Sequence, residues 1–203
     1  MIKSPYHGNI VFDFISPIHW NFFLLLEENL LEIGRYIDIN TDHFHVYSTE
    51  ITKLFLSAAA EFDVISKRYC KLRGLSAKLN KSLPNRLQLL SEMRSFSQAV
   101  YIYPFNLEIH PFSDWNNLQT PEWWKAYNRV KHHRDKSYKD ANIKNCIESM
   151  AGLFLVLLEI YGLSAGNLEG KGINHSYPEI EMVLQTLLID SRLFRLGYDF
   201  YRT

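Results

Sequence analysis

The stretch from Thr120 to Tyr161 constrains the fold most strongly, because it predicts two amphipathic helices that meet at a turn. Thr120 is the predicted N-cap, Pro121 suits the first helical position because its missing N–H needs no partner there, and Glu122 complements the positive end of the helix dipole. Large residues recur at helical spacing and are expected to face the core: Trp123, Tyr127 and Val130. The first helix is therefore predicted to bury one face.

A second helix is predicted from about Asp140 to Tyr161, after a turn near Asp135 to Ser137 and with Gly162 as its stop. Its apolar side chains follow the helical repeat: Ile143, Ile147, Met150, Phe154, Leu157 and Leu158. This helix is expected to back the first one. Its most apolar run, Met150 to Leu163, is shorter than the roughly 20 residues that span a bilayer and contains Glu159, so we predict a buried helix and no membrane contact.

The rest of the chain predicts further helices, one hairpin and connecting loops. Helical periodicity covers Trp20 to Ile37, about Ser48 to Arg73, Asn85 to Ala99, and Tyr177 to Leu196. The second of these is expected to be central, since it carries a long apolar stripe and Ala58 to Ala60 let a neighbouring helix approach closely. Alternating β-formers predict a hairpin between Val100 and Phe112. Leu75 to Pro84 and Leu163 to Ser176 are predicted loops, and Met1 to Pro17 fits either a short strand or an extended arm.

These elements predict one domain, residues 1–203, of the mainly α class: a helical bundle with a small β-hairpin insert. The helical core is expected at about 48–162, the hairpin at about 100–112 and the C-terminal helix at about 177–196. Cys70 and Cys146 lie far apart inside predicted helices, which indicates reduced core thiols in a cytoplasmic protein. With 22 basic and 22 acidic residues the net charge is zero, so the protein as a whole is not attracted to nucleic acid or anionic membranes.

The motifs predict neither a cofactor nor a metal. The sequence has no serine nucleophile elbow, phosphate-binding loop, dinucleotide fingerprint or zinc-ligand cluster. Alternation from Ile39 to Val46 predicts a strand with His43 and His45 on one face. Because no third ligand lies nearby in the sequence, the two histidines are expected to be structural rather than metal-binding.

The main chemical feature is a local basic run. Between residues 125 and 139 the sequence has six basic residues and one acidic residue, a local charge of +5 before His132 and His133 are counted. The basic residues are Lys125, Arg129, Lys131, Arg134, Lys136 and Lys139, and the acidic residue is Asp135. This imbalance predicts that any attraction for a polyanion is concentrated here.

Within this run, Asn128 to Arg134 is the candidate site. On a helix, His132 lies one turn beyond Asn128 and is flanked by Lys131 and Arg134. An imidazole can transfer protons near neutral pH, and cations can stabilise charge that develops on a phosphodiester. Three interpretations remain open: a structural brace, non-catalytic binding of an anion or nucleic acid, and catalysis. The interleaved aromatic residues either stack on nucleobases or pack in the core: Trp123, Trp124, Tyr127 and Tyr138.

The combination of Ser48 to Arg73 with Thr120 to Tyr161 resembles the HEPN superfamily, small all-helical domains that include ribonucleases of toxin–antitoxin and phage-defence systems and also non-catalytic members. Ribonuclease members carry an arginine, usually followed by a polar residue, and a histidine about one turn further on. With His132 in the histidine position and Asn128 in the polar position, Tyr127 stands where the arginine is expected. With His133 in the histidine position, Asn128 stands where the arginine is expected. The motif therefore diverges from the family pattern.

The resemblance implies an RNA- or nucleotide-binding protein of a prokaryotic defence or stress system, with metal-independent endoribonuclease activity as an expected property. The catalytic residues would be His132 as acid or base, Arg134 as a phosphate contact and Asn128 as an orienting group. Substrate contacts would come from Lys131, Arg129, His133 and Lys125. The resemblance also implies a homodimer whose motif helices face a shared cleft, and an antitoxin-like protein partner. The competing interpretation is a non-catalytic helical interaction module in which this patch is a structural brace.

Overall fold

Two helices of 24 residues pack against each other through the centre of the computed structural model: α2 (Thr49–Leu72) and α6 (Ile143–Gly166). The structure describes residues 17–93, 95–117, 119–166 and 191–196. The Ser48 hydroxyl caps α2 by accepting a hydrogen bond from the Ile51 amide at 3.2 Å. The predicted apolar stripe of α2 is buried throughout: Ile51, Leu54, Phe55, Ala58, Phe62, Ile65 and Tyr69. The central position predicted for this helix is confirmed.

Helix α6 also buries its predicted apolar set, but both of its predicted ends are wrong. It begins at Ile143, where the backbone amides of Ile143 and Lys144 bond to carbonyls of the preceding 44–46 segment, and it continues past Gly162 to Gly166. A glycine inside a helix costs only about 1 kcal/mol, so Gly162 by itself does not terminate α6. The predicted loop from Leu163 is therefore helical at its start, and residues 167–176 lie outside the described residues.

Two shorter helices flank this pair: α1 (Ile18–Ile33) and α3 (Leu83–Leu90). Helix α1 ends earlier than predicted, because the chain turns at Gly34, where a Cβ would lie 3.3 Å from the Phe105 ring. Helix α3 begins with Pro84 in its first turn and ends well before the predicted Ala99. Beyond Leu90 the chain makes tight turns, in which the Ser91 hydroxyl donates to a backbone carbonyl instead of continuing the helix.

Arg86 ties α3 to α2. Its side chain is fully buried, and its guanidinium donates to the Asp63 carboxylate at 2.6 Å and to the Asn80 carbonyl at 2.7 Å. Asp63 also accepts from Lys67, one turn along α2. Burial lowers the pKa of Arg86, and Asp63 opposes that effect. The buried cation is therefore held by a specific carboxylate, as the cost of burying a charge requires.

The predicted hairpin is confirmed and gains a third strand. Strands β1 (Val100–Ile102) and β2 (Leu107–Ile109) pair antiparallel around Asn106, which adopts the left-handed conformation at φ 49°. Strand β3 (Phe194–Leu196) pairs antiparallel with the other edge of β1, giving the order β2-β1-β3. The prediction that the helix from Tyr177 extends to Leu196 is thus wrong at its end, whereas residues 177–190, 1–16 and 197–203 lie outside the described residues.

A buried glutamate anchors β3 to α1. The Glu27 carboxylate accepts hydrogen bonds from the Ser191 hydroxyl at 2.5 Å and from the backbone amides of Arg192, Leu193 and Phe194 at 3.1 to 3.3 Å. These donors supply the hydrogen bonds that a buried carboxylate needs, since Glu27 is only 1% exposed. The partners of Glu27 are more than 160 positions away in the sequence, so no local pattern identifies this contact.

The predicted strand from Ile39 to Val46 is wrong. Residues Thr41–His43 form a 3₁₀ turn, capped by the Asn40 side chain, which accepts from the His43 amide at 3.1 Å. The His43 ring contacts the Asp38 carbonyl at 2.6 Å. Local side-chain bonds from Asn40 therefore prevail over the alternating pattern. Within the parts of the chain that the structure describes, no helix has the length and apolar composition required to cross a bilayer.

Candidate functional site

The basic run occupies α4 (Glu122–His132), α5 (Arg134–Ser137) and a 3₁₀ turn at Tyr138–Asp140. The inward face of α4 is the one that the helical spacing predicts, with Trp123, Tyr127 and Val130 buried against α2 and α6. The Trp123 ring stands perpendicular to Phe62 at 4.9 Å, and its indole N–H donates to the Pro111 carbonyl at 2.8 Å. The core contact of one face fixes which side chains of α4 point outward.

The start of α4 is held by a residue that local sequence did not identify. Asp114 accepts a hydrogen bond from the Glu122 amide at 2.9 Å, whereas the predicted N-cap, Thr120, does not cap the helix. A carboxylate at this end also complements the helix dipole. The predicted cap is therefore wrong, because a side chain eight residues earlier is brought to the helix end by the preceding turn.

The far end of α4 carries an exposed basic face, which we define as Lys131, His132, His133, Arg134 and Lys136. Among the described residues, none forms a hydrogen bond or an ion pair with the side chains of His132, His133 or Arg134. Lys131 places its ammonium 5.3 Å from the centre of the Tyr127 ring, a cation–π contact that leaves the side chain at the surface. The exposed basic face therefore has donors and an imidazole open to solvent.

The other predicted site residues are tied into the protein. The Asn128 amide donates to the Trp124 carbonyl at 2.9 Å within α4. Arg129 donates to Asp140 at 2.6 Å and to Glu122 at 2.7 Å, and these bonds raise the pKa of its guanidinium, the bond to Asp140 most. Arg129 thus joins the first turn of α4 to the 3₁₀ turn beyond α5.

Lys125 lies on the same side of α4 as Arg129 and has a longer contact to Glu122, at 3.7 Å. Its side chain is 42% exposed, so this pair is weak and leaves the ammonium accessible. The seven predicted site residues consequently separate into a pair with close hydrogen-bond partners, Asn128 and Arg129, and five residues that have a longer ion-pair contact or none among the described residues.

The aromatic residues predicted either to stack on bases or to pack in the core mostly pack in the core. Trp123 and Tyr127 are buried. Trp124 is half-buried between Phe62 and Tyr127, and the Arg86 guanidinium lies 5.9 Å from its ring. Tyr138 is half-buried and bonds through its hydroxyl to Thr49 at 3.1 Å. The tyrosine and tryptophans of α4 are therefore chiefly packing residues.

Sequence reasoning missed two residues next to this region. Tyr47 meets Tyr138 edge to face, with ring centres 5.5 Å apart, and keeps 40% of its surface exposed. Glu148, on α6, is largely buried, and this burial together with Asp114 and Glu122 raises its pKa to about 7, against the opposing effect of Lys144 at 3.8 Å. Neither residue belongs to a local motif, since both depend on contacts between distant segments.

The described residues include no group of three histidine, cysteine, aspartate or glutamate side chains arranged to hold a metal ion. The arrangement at the end of α4 is instead suited to contacting an anion with cations and to exchanging a proton through an imidazole. Comparison with known proteins gives no match to this chain among protein-family models, curated proteins or solved structures. We therefore infer function from the residues themselves.

Proposed function

We propose that the protein binds RNA through the exposed basic face, Lys131 to Arg134 with Lys136. The observation that supports this function is the contrast along α4: Arg129 is neutralised by two carboxylates, whereas the cations and histidines that follow it are open to solvent. Leaving several cations together without partners is unfavourable for the isolated protein, because like charges repel. A polyanion relieves that repulsion and gains from counterion release.

We further propose that His132 makes this site a metal-independent endoribonuclease. Cleavage of RNA requires a group that accepts a proton from the attacking 2′-hydroxyl or donates one to the leaving oxygen, and an exposed imidazole can do either. Lys131 and Arg134 flank His132 in the sequence and would stabilise the charge that develops on the phosphate. Asn128, bonded to the Trp124 carbonyl, would act by supporting this end of α4.

The HEPN resemblance remains part of this proposal. The helical bundle and the basic end of α4 are compatible with a divergent HEPN-like protein of a prokaryotic defence or stress system, acting in the cytoplasm as a homodimer. An antitoxin-like protein is the partner that such a system would supply. Fold similarity is a weak guide to function, so the weight of the proposal lies on the exposed basic face.

A second candidate function is a non-catalytic interaction module, and Arg129 favours it specifically. The two ion pairs of Arg129 join the ends of the α4–α5 region, as expected of a structural brace. In this alternative the exposed cations would contact an acidic protein surface, and His132 would have no chemical role.

RNA binding is tested by fluorescence anisotropy with labelled single-stranded RNA at several salt concentrations. Replacing Lys131 and Arg134 with Ala should weaken binding and reduce the magnitude of the slope of log K against log salt by about 1.4, because each lost phosphate contact contributes about 0.7 on a single strand. The matched control replaces Lys78 and Lys81, which are also exposed and carry the same charge, and should leave the slope unchanged. Equal slopes for the two double variants would exclude the basic face as the RNA contact.

Cleavage is tested separately on a mixed single-stranded RNA pool in the presence of a chelator. His132→Ala should abolish cleavage while RNA affinity stays near that of the unmodified protein. His110→Ala, at an exposed histidine paired with Glu108 beyond strand β2, is the control and should cleave normally. If the RNA is bound but cleavage survives His132→Ala, His132 has no part in the reaction, and if no cleavage occurs in the unmodified protein, binding alone remains.

A further inference from the structure

Tyr47 is an exposed aromatic residue on an immobilised piece of backbone. Its main chain forms an antiparallel bridge with Asn142, and the neighbouring Val46 carbonyl accepts a hydrogen bond from the Ile143 amide at 2.9 Å. These bonds also satisfy the beginning of α6, so the backbone of Tyr47 cannot move without exposing a helix end. The backbone that carries the ring is therefore held in place, and 40% of the surface of Tyr47 is accessible.

Tyr138 connects this ring to the basic run. The two rings meet at 85°, and the Tyr138 hydroxyl bonds to Thr49 at the first turn of α2. Tyr138 directly follows α5 and lies between Lys136 and Lys139, both of which are exposed. Tyr47 thus lies beside a segment whose cations are accessible, although no local sequence pattern links it to them.

The segment that carries Tyr138 is positively charged overall. Residues 134–139 contribute Arg134, Lys136 and Lys139 against the single carboxylate of Asp135. The next acid along the chain, Asp140, accepts from Arg129 at 2.6 Å and so is already paired. An anion that approaches residues 134–139 therefore meets more cations than carboxylates.

An isolated exposed tyrosine needs no functional explanation. A ring that packs edge to face on Tyr138, beside a segment with accessible cations, is different, because single-stranded nucleic acids are bound by stacking surfaces for bases combined with charges for the backbone. A ring that is already ordered also loses little conformational entropy when a base stacks on it. We propose that Tyr47 stacks on a base of single-stranded RNA whose phosphates lie along Arg134, Lys136 and Lys139. This assignment rests on the proposed RNA binding and extends it to a residue outside α4.

The test compares two ligands of equal length: a single-stranded RNA and an abasic strand with the same backbone charge. Tyr47→Ala should weaken RNA binding by about 5-fold to about 150-fold, the range found when an aromatic residue that stacks on a base is removed, and should leave binding of the abasic strand unchanged. Tyr47→Phe keeps the ring and should bind both ligands normally. Tyr103→Ala, at a tyrosine that is 79% exposed elsewhere on the surface, is the matched control and should have no effect.

The unfolding temperatures of all variants are measured to check that each variant is folded. Tyr47→Leu is a second variant, which preserves apolar bulk without an aromatic face. It should weaken RNA binding as Tyr47→Ala does. Equal RNA affinities for Tyr47→Ala and the unmodified protein, with Lys131 and Arg134 still required, would overturn this assignment and leave the proposed function intact. Equal losses for RNA and the abasic strand would also overturn it. Absence of RNA binding by the unmodified protein would overturn both.

Discussion

Replacing Glu148 with Gln should make the protein more stable at alkaline pH and remove part of its pH dependence. The side chain of Glu148 is only 19% exposed, and it lies near the carboxylates of Asp114 and Glu122. Burial and these two charges disfavour the ionised form, and the contact to Lys144 only partly compensates. Gln has nearly the same shape and no charge, so it removes the unfavourable ionisation without leaving a cavity.

The magnitude follows from the pKa. The pKa of Glu148 rises from 4.5 to about 7 on folding. Since a difference of one in pKa corresponds to about 1.4 kcal/mol, ionised Glu148 costs the folded protein on the order of 3 kcal/mol. The folded state binds the proton more tightly than the unfolded state between these two pKa values. The free energy of unfolding contributed by this group is therefore highest below about pH 4.5 and falls as the pH rises through about 7.

Urea unfolding followed by circular dichroism, at a series of pH values, measures this effect directly. The stability difference between Glu148→Gln and the unmodified protein should be near zero at acidic pH and should grow to on the order of 3 kcal/mol above neutral pH. Glu50→Gln is the control, because Glu50 is 66% exposed and pairs with Lys53 at the surface. A pH-independent difference for Glu148→Gln, or a loss of stability above neutral pH, would refute the reasoning.

Three further changes test the packing of the fold. Glu27→Gln should cost about 2 kcal/mol and speed amide hydrogen exchange in β3, since the new amide group would face a backbone donor. Arg86→Met should cost about 3 kcal/mol in urea unfolding, because it breaks a buried ion pair and leaves Asp63 with Lys67 alone. Cys70 and Cys146 should react with a thiol reagent only after unfolding, because burial raises the pKa of both thiols, that of Cys70 to about 11.

Each of these has a matched comparison. Glu32→Gln changes an exposed carboxylate elsewhere on α1 and should leave exchange in β3 unchanged. Arg73→Ala removes an exposed pair with Glu92 and should cost less than 1 kcal/mol. Normal exchange in β3 after Glu27→Gln would contradict the first prediction. Equal losses of stability for Arg86→Met and Arg73→Ala would contradict the second. Equally fast thiol modification in the folded and unfolded protein would contradict the third.

The candidate site combines a braced arginine in α4 with an accessible basic face at the end of α4 and in α5. Arg129 holds the start of α4 to the turn at Asp140, and this bracing fixes the direction in which the chain leaves α4 at His133. The exposed basic face follows immediately. A structural brace and an anion-binding surface are thus compatible functions of neighbouring residues, and the proposed RNA binding does not require the braced arginine to be released.

Periodicity predicted the main helices because it is a local property. In α2 and α6 the apolar side chains repeat with the helical period, so their buried faces follow from the sequence before any partner is known. The helix ends were predicted less well. The Ser91 hydroxyl bonds to the Gln88 carbonyl where α3 ends, and Gly162 does not stop α6, because a single glycine costs a helix only about 1 kcal/mol.

The sequence by itself determined that the chain is mainly helical, that one face of α4 is buried, and that the basic charge is concentrated at residues 125–139. Only the tertiary structure decided that Arg129 is paired while Arg134 is open, that Asp114 caps α4, and that Tyr47 lies beside Tyr138. The physical reason is the range of the interactions. Helical spacing is encoded every three or four residues, whereas the partner of a charge or a ring depends on how distant segments pack, which no local pattern specifies.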